Sequence, residues 1–461
     1  MSYIHFNSIA KQRKKQTLKL ADIIGSLSHA LDLTEGQPQG HCVRCCWIGT
    51  NIGLTLGLGE NELSDLYFTL LLKDLGCSSN AARICELYIT DDIHFKKDFK
   101  TVDGSLNSAL RFVFAKTGLK AGLTERIRAL ANVLQNGGKI AHELIETRCH
   151  RGADIAAKMR FPSGVQDGIR NLDEHWDGSG KPSSLVATQI PSQANIALLA
   201  QVVDVFHSEH GIQAAIEEVK SRSGTWFDPN LVSAFLKVQE QSHFWQMLKQ
   251  DNLEGEVFSM KPAFLAKPVN EDYLDDIAKA FADVVDAKSP FTADHSNRVT
   301  FYTDMIAEEL EFTPQHRRWL RRAALLHDIG KLAVSNQILD KPGKPDEDEW
   351  NAIKSHPLHS YNILRHVEAF HDISDIAGAH HERLDGKGYP WGLKDDEICL
   401  EVRILTVADV FDALTADRPY RKALPIEQAF KILDKDIGVA FDPSCVQALK
   451  NGMAKLSSAA A

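Results

Sequence analysis

The run Ala323-Ala324-Leu325-Leu326-His327-Asp328-Ile329-Gly330-Lys331 leads an apolar segment straight into an adjacent imidazole and carboxylate. Imidazole nitrogen and carboxylate oxygen suit a borderline or hard divalent metal, and the ammonium of Lys331 suits a phosphate. Read as one helix, the spacing puts Lys331 on the same face as His327. A His-Asp pair alone is a weak signal, and its company strengthens it. Nine of the 19 histidines fall between residues 295 and 381. His316, His366 and His371 lie among charges and read as exposed helix residues. His295, His327, Asp328, His356, His380, His381 and Asp409 form a donor set that only a folded bundle can bring together. Asp328 can bridge two metals through its two oxygens while the imidazoles take terminal positions. Gly386 and Gly388 are expected to adopt backbone angles closed to other residues, leaving Tyr389 and Pro390 at a pocket rim or partner surface.

The elements that must position these groups read as helices. Residues 272–287 carry Leu274, Ile277, Ala278, Phe281, Val284 and Val285 at helical spacing. Thr313-Pro314 is a helix start, a capping hydroxyl followed by proline at the first position. Residues 402–414 are rich in β-branched side chains, but their length and the Asp409/Asp412 spacing favour a helix. The expected fold class is all-α.

The chain also repeats itself. His41, Lys73 and Asp74 each lie 254 residues before His295, His327 and Asp328. Glu174 to Pro182 parallels Glu382 to Pro390, Val203-Asp204-Val205-Phe206 parallels Ala408-Asp409-Val410-Phe411, and Phe227-Asp228-Pro229 parallels Phe441-Asp442-Pro443. Two tandem homologous helical domains follow, at 1–248 and 271–461, with 249–270, carrying Gly255, Pro262 and Pro268, as connector. In the first, Lys73 replaces His327, Leu172-Asp173 replaces His380-His381, and Thr147 stands where His356 does. Too few donors remain there for a metal pair, so that repeat is expected to be non-catalytic.

Composition sets the remaining bounds. With 44% hydrophobic and 25% charged residues the chain is an ordinary globular protein. No apolar run is long enough to span a bilayer, and the basic stretch of Lys11, Arg13, Lys14, Lys15 and Lys19 lacks the apolar core of a signal peptide. A net charge of −10 argues against general nucleic-acid binding. Eight cysteines make no disulfide framework, and Cys42, Cys45 and Cys46 read as buried helix thiols. A reducing cytoplasm fits.

The second half resembles the HD-GYP family of bacterial cyclic-dinucleotide phosphodiesterases, a branch of the HD metal-dependent phosphohydrolases. The likeness rests on His327-Asp328-Ile329-Gly330-Lys331, His356-Pro357, His380-His381-Glu382, Asp385-Gly386-Lys387-Gly388-Tyr389-Pro390, Ala408-Asp409-Val410-Phe411-Asp412-Ala413-Leu414-Thr415 and Arg418-Pro419-Tyr420-Arg421. It implies that His295, His327, Asp328, His356, His380, His381 and Asp409 ligate the metals, usually iron or manganese. It also implies that Lys331 contacts phosphate, with Asp328 and Lys331 catalytic, and that Arg418 and Arg421 grip the nucleotide, with Gly388 and Tyr389 beside it. Some members carry a glutamate four residues before the first histidine for a third metal; Phe291 stands there, so two ions are expected. The implied substrate is cyclic di-GMP or 3′3′-cyclic GMP-AMP, cleaved to a 5′-phosphorylated linear dinucleotide. Phosphomonoester hydrolysis and a non-catalytic scaffold stay open as alternatives. The resemblance leaves room for a diguanylate-cyclase-type or other signalling partner, and the first repeat is expected to pack against the second within one chain.

Overall fold

The computed structural model describes residues 20–102, 106–260, 269–419 and 421–460. The basic N-terminal stretch, Pro262, Pro268 and Tyr420 lie outside them. The described residues are helical and hold isolated bridges rather than strands. The chain separates into two compact units, Leu18–Asn270 with Ser335–Gln337, and Glu271–Val334 with Ile338–Ala461.

In the later unit, helix Glu271–Asp286 buries Leu274, Ile277, Ala278, Phe281, Val284 and Val285, the stripe read from spacing. Helix Pro314–Leu326 starts at Thr313, whose hydroxyl accepts from the His316 amide. It ends at Leu326, and Ile329–Ala333 is a 3-10 turn. Lys331 therefore does not continue a helical face from His327; it comes back toward Asp328 through the tighter turn. Residues 400–415 form a helix despite their β-branched content, buried at Val402, Ile404, Leu405, Val407 and Phe411.

The earlier unit repeats this plan. Helices Leu20–Thr34, His41–Leu56, Glu60–Leu72, Ser163–Arg170 and Ser192–His210 answer Glu271–Asp286, His295–Glu309, Pro314–Leu326, His371–Ala379 and Leu400–Thr415. Both loops after the last paired histidine position contain a cis X-Pro bond, at Lys181-Pro182 and Tyr389-Pro390. Between Gly76 and the next shared helix the earlier unit is longer. Its additional residues have their own core of Ile84, Leu87, Tyr88, Phe95, Val113, Val133 and Ile140. Helix Leu253–Ser259 lies within the segment 249–270 read as a connector. Leu253 and Val257 are buried, and the Phe258 ring lies against Gly25, so apolar packing carries the unit past residue 248.

Two sequence alignments between the repeats shift by one or three positions. A Cβ on Gly330 would strike the His356 carbonyl and Ser360 amide, and one on Gly76 would strike the Arg148 carbonyl and Gly152 amide. This shared backbone approach makes Arg148, not Thr147, the counterpart of His356. Likewise His41 Nδ1 meets Asp204 Oδ2 at 2.6 Å and Arg44 Nε donates to Asp204 Oδ1 at 2.7 Å. In the later unit the same two bonds run from His295 and Arg298 to Asp412 at 2.7 and 2.6 Å. Asp204 therefore matches Asp412, and Gln201, one turn earlier, stands where Asp409 does.

Candidate metal centre

The later unit brings all seven expected donors together. Asp328, at the end of helix Pro314–Leu326, stands between two groups. Its Oδ2 lies 3.2 Å from His295 Nε2 and 3.3 Å from His327 Nε2, and its Oδ1 lies 3.2 Å from His356 Nε2 and 3.8 Å from His380 Nε2. Asp409 Oδ1 closes the first group, 3.4 Å from His295 Nε2 and 3.8 Å from His327 Nε2. His381 closes the second, its ring 4.1 Å from His380 and 5.0 Å from His356. Ligand atoms of His295, His327 and Asp409, and of His356, His380 and His381, lie mutually within 4.8 Å.

The rings are aimed by their other nitrogens. Nδ1 of His327, His356 and His380 donates to the carbonyls of Ala324, Ile353 and Ala377 at 2.7, 2.6 and 2.6 Å. In the neutral rings each bond assigns the proton to Nδ1 and turns Nε2 toward the centre. His295 is held by Asp412, which Arg298 anchors in turn. Asp412 escaped the sequence reading, although it lies one helical turn beyond Asp409.

Burial and charge ready the two carboxylates and the His380-His381 pair for a cation. Asp328 is buried, which would raise its pKa, but His327 and Lys331 hold the carboxyl well below its usual range. Asp409 is held down against burial by His327 and His295. Burial and neighbouring imidazoles keep His380 neutral and push His381 down to about 3. His327 is the exception: burial opposes protonation, yet Asp328 and Asp409 raise its pKa to about 10, so a cation binding there displaces a proton. His327 Nε2 and Asp328 Oδ1 are buried without a hydrogen bond. Orphaned lone pairs among ionised carboxylates are costly, and divalent ions fit them.

The remaining expected residues fall around this core. Lys331 pairs with Asp328 Oδ2 and keeps 16% side-chain exposure, so it stands between the centre and solvent. Tyr389 lies 4.9 Å from the His381 ring. Gly386 has φ +73, as expected, but Gly388 is needed for space: a Cβ there would strike the backbone of Glu382 and Arg383. Glu382 fixes the loop by accepting from the amides of Trp391, Gly392 and Leu393 at 2.7, 3.1 and 3.0 Å. Arg418 pairs through its backbone with Arg421. Arg421 does not extend toward the donors; its guanidinium donates to the carbonyls of Ala413, Leu414 and Lys422 at the end of helix Leu400–Thr415. Of the three histidines read as exposed, His366 is exposed, whereas His316 and His371 are partly buried and His316 meets Glu401 at 3.0 Å.

The equivalent space in the earlier unit is filled by the chain's own cations. Lys73 Nζ pairs with Asp74 Oδ2 and lies 3.0 Å from His41 Nε2. Lys100 Nζ lies 4.0 Å from Asp74 Oδ1 and 2.8 Å from Glu35. Arg148, in the place of His356, pairs with Asp173, in the place of His381. Cys42, Cys45 and Cys46 are buried as expected, and burial pushes their thiols up.

A family model described as HD domain matches residues 105–231 and 279–445. The chain is 52% identical over 439 residues to a protein named 3′3′-cGAMP-specific phosphodiesterase 3 from Vibrio cholerae serotype O1, covering 95% of each. It is 41% identical over 177 residues to the cyclic di-GMP phosphodiesterase response regulator RpfG of Xanthomonas campestris, covering 38% of this chain and 47% of that one. The crystal structure of a V. cholerae cyclic GMP-AMP-specific phosphodiesterase superposes with a TM-score of 0.66 at 47% identity, over 95% of this chain and 98% of the other. No helix among the described residues is long and apolar enough to cross a membrane. With the His327-Asp328 centre and the Gly388-Tyr389-Pro390 loop in place, the chain belongs to the HD-domain family, in its HD-GYP cyclic-dinucleotide phosphodiesterase branch.

Proposed function

We propose that residues 271–461 hydrolyse 3′3′-cyclic GMP-AMP in preference to cyclic di-GMP, using two divalent ions, iron or manganese, and that the earlier repeat takes no part in the chemistry. The observation that carries this reading is Asp328 standing between two groups of three donors. The choice of base follows the relative that matches nearly the whole chain. His295, His327 and Asp409 would hold one ion, His356, His380 and His381 the other, with Asp328 shared. When bound, such ions activate water and offset charge on a phosphodiester. Water adds at phosphorus in line with the ribose O3′ and gives up a proton, the P–O3′ bond breaks as O3′ takes up a proton, and the phosphate stays on the 5′ oxygen. Lys331, which stands beside Asp328, donates to a phosphoryl oxygen and stabilises the extra charge of the transition state. The Nδ1 bonds and Asp412 keep the imidazoles in place, so little reorganisation is needed when substrate arrives.

The test is incubation of metal-loaded protein with each cyclic dinucleotide, with products resolved by chromatography. Linear 5′-phosphorylated dinucleotide should form fastest from 3′3′-cyclic GMP-AMP. Faster turnover of cyclic di-GMP would reverse the preference, and turnover of mononucleotides alone would remove the diesterase reading.

A further inference from the structure

The donors of the centre differ in one respect: His381 is partly exposed, whereas the other six are buried. The open side of the centre therefore runs past His381 and Lys331. Aromatic rings line the way out. Tyr389 lies 4.9 Å from His381 with the planes inclined by 32°, and Trp350 follows, its ring 6.4 Å from Tyr389 at 73°.

Trp350 is 45% exposed. It sits on helix Glu347–Lys354, which has no buried residue and is capped by a reciprocal pair between Asp346 and Glu349. Holding that helix in place does not require a large aromatic in the core. The steep angle to Tyr389 also means that no face-to-face stack consumes the indole surface. The other half-exposed aromatic of this unit among the described residues, Phe301, has its ring contact with Tyr302. In the earlier repeat Lys181 stands in place of Tyr389, and the segment answering 331–355 is a different, longer structure.

We propose that Trp350 is a base platform: one purine of the cyclic dinucleotide stacks on its indole while the scissile phosphate lies at the Asp328 centre. A planar base held two rings out from a phosphate site matches the chemistry of a nucleotide whose phosphate and base are joined through one ribose. Indole stacks on any base, so Trp350 supplies affinity and orientation, with weak discrimination between guanine and adenine. This inference rests on the cyclic-dinucleotide reading of the same centre.

The experiment uses full-length, metal-loaded protein, with W350A, W350Q and W350F compared on 3′3′-cyclic GMP-AMP and on bis(p-nitrophenyl) phosphate, a diester without bases. For W350A and W350Q the ratio of kcat/KM on the cyclic dinucleotide to that on the baseless diester should fall about tenfold, mainly through KM. W350F should recover most of the loss. An unchanged ratio, or an equal fall on both substrates, would overturn the platform. The indole signal, taken as wild type minus W350F, should be quenched as cyclic dinucleotide saturates the protein, and absence of quenching at saturation would also overturn it. Quenching by a wild type that does not hydrolyse the ligand sinks the diesterase reading alone. Hydrolysis that is indifferent to Trp350 sinks the platform alone.

Discussion

The two repeats solve the same electrostatic problem in opposite ways. Each buries an aspartate at the end of a matching helix, Asp74 and Asp328, opposite a histidine held by a second aspartate and an arginine. Around Asp328 the chain supplies further imidazoles and Asp409 and leaves buried lone pairs unpartnered. Around Asp74 it supplies ammonium groups: Lys73 at one carboxylate oxygen and Lys100 4.0 Å from the other. A carboxylate with a fixed cation beside each oxygen has less need of an ion. The earlier repeat also ends helix Ser192–His210 at Gly211 and continues at once into helix Ile212–Ser221, where the later one inserts the loop bearing Arg418 and Arg421. Loss of donors and loss of that loop coincide in one unit, as expected if its chemistry had been exchanged for self-sufficient stability.

The largest effect should come from emptying the later centre. Asp328→Ala removes the donor shared by both groups and His327→Ala a donor of the first, and turnover should fall by about a thousandfold or more in each. Metal content, read by elemental analysis, should fall with it while helical circular dichroism is retained. Normal turnover in a metal-free variant would dissolve the contrast between the repeats.

The matching change in the earlier centre should alter stability instead. Lys73→Met leaves Asp74 buried beside a neutral side chain, and breaking such a pair costs about 3–5 kcal/mol. Thermal unfolding should drop accordingly, with metal content and kcat of the folded protein unchanged. Lys73→His should restore no activity, because Leu172, Asp173, Arg148 and Gln201 still occupy the other donor positions. A metal ion gained by that variant would show that the unit remains closer to a working site than its cations suggest.

A smaller, paired test uses the aspartates behind the first histidines. Asp412→Asn weakens the hold on His295 and should lower metal affinity and kcat by about 10- to 100-fold. Asp204→Asn, the same change in the other repeat, should destabilise without touching turnover. Equal catalytic losses from both would mean that the two centres are coupled.

Much of this contrast was legible in the sequence. The all-α fold followed from spacing, and the seven side chains that converge in the later unit stood out by residue type, because adjacent His-Asp and His-His pairs on apolar helices have few other uses. What could not be read was pairing between segments distant in the chain. Asp204 was matched to Asp409 by the surrounding text, yet hydrogen bonds to His41 and Arg44 assign it to Asp412. Thr147 was matched to His356 through neighbouring histidines, whereas the close approach at Gly76 and Gly330 sets the register at Arg148. Lys100 comes from the additional segment of the earlier repeat and has no counterpart to align, so its approach to Asp74 appears only once that segment folds back. Arg421 carries the charge a nucleotide would need but uses it on helix-end carbonyls, a local choice that residue type does not reveal.

The mildest prediction concerns pH and separates the cations of the earlier unit from ions. His29 lies 3.7 Å from Asp32 and 3.6 Å from Glu254. Burial opposes its charge, but the two carboxylates raise its pKa from 6.5 to about 9. A group raised on folding contributes fully below its unfolded pKa and loses that contribution as pH rises through the folded value. The earlier unit should therefore lose about 3 kcal/mol between pH 6.5 and just above 9. Hydrogen exchange in helix Leu20–Thr34, corrected for intrinsic rates, would read the loss, and His29→Gln should flatten it. A chelator should leave the protection of that helix unchanged at each pH while loosening helix His295–Glu309, whose first residue is a metal donor in the proposed centre. Equal sensitivity of both helices to chelation would mean that the earlier unit depends on metal after all.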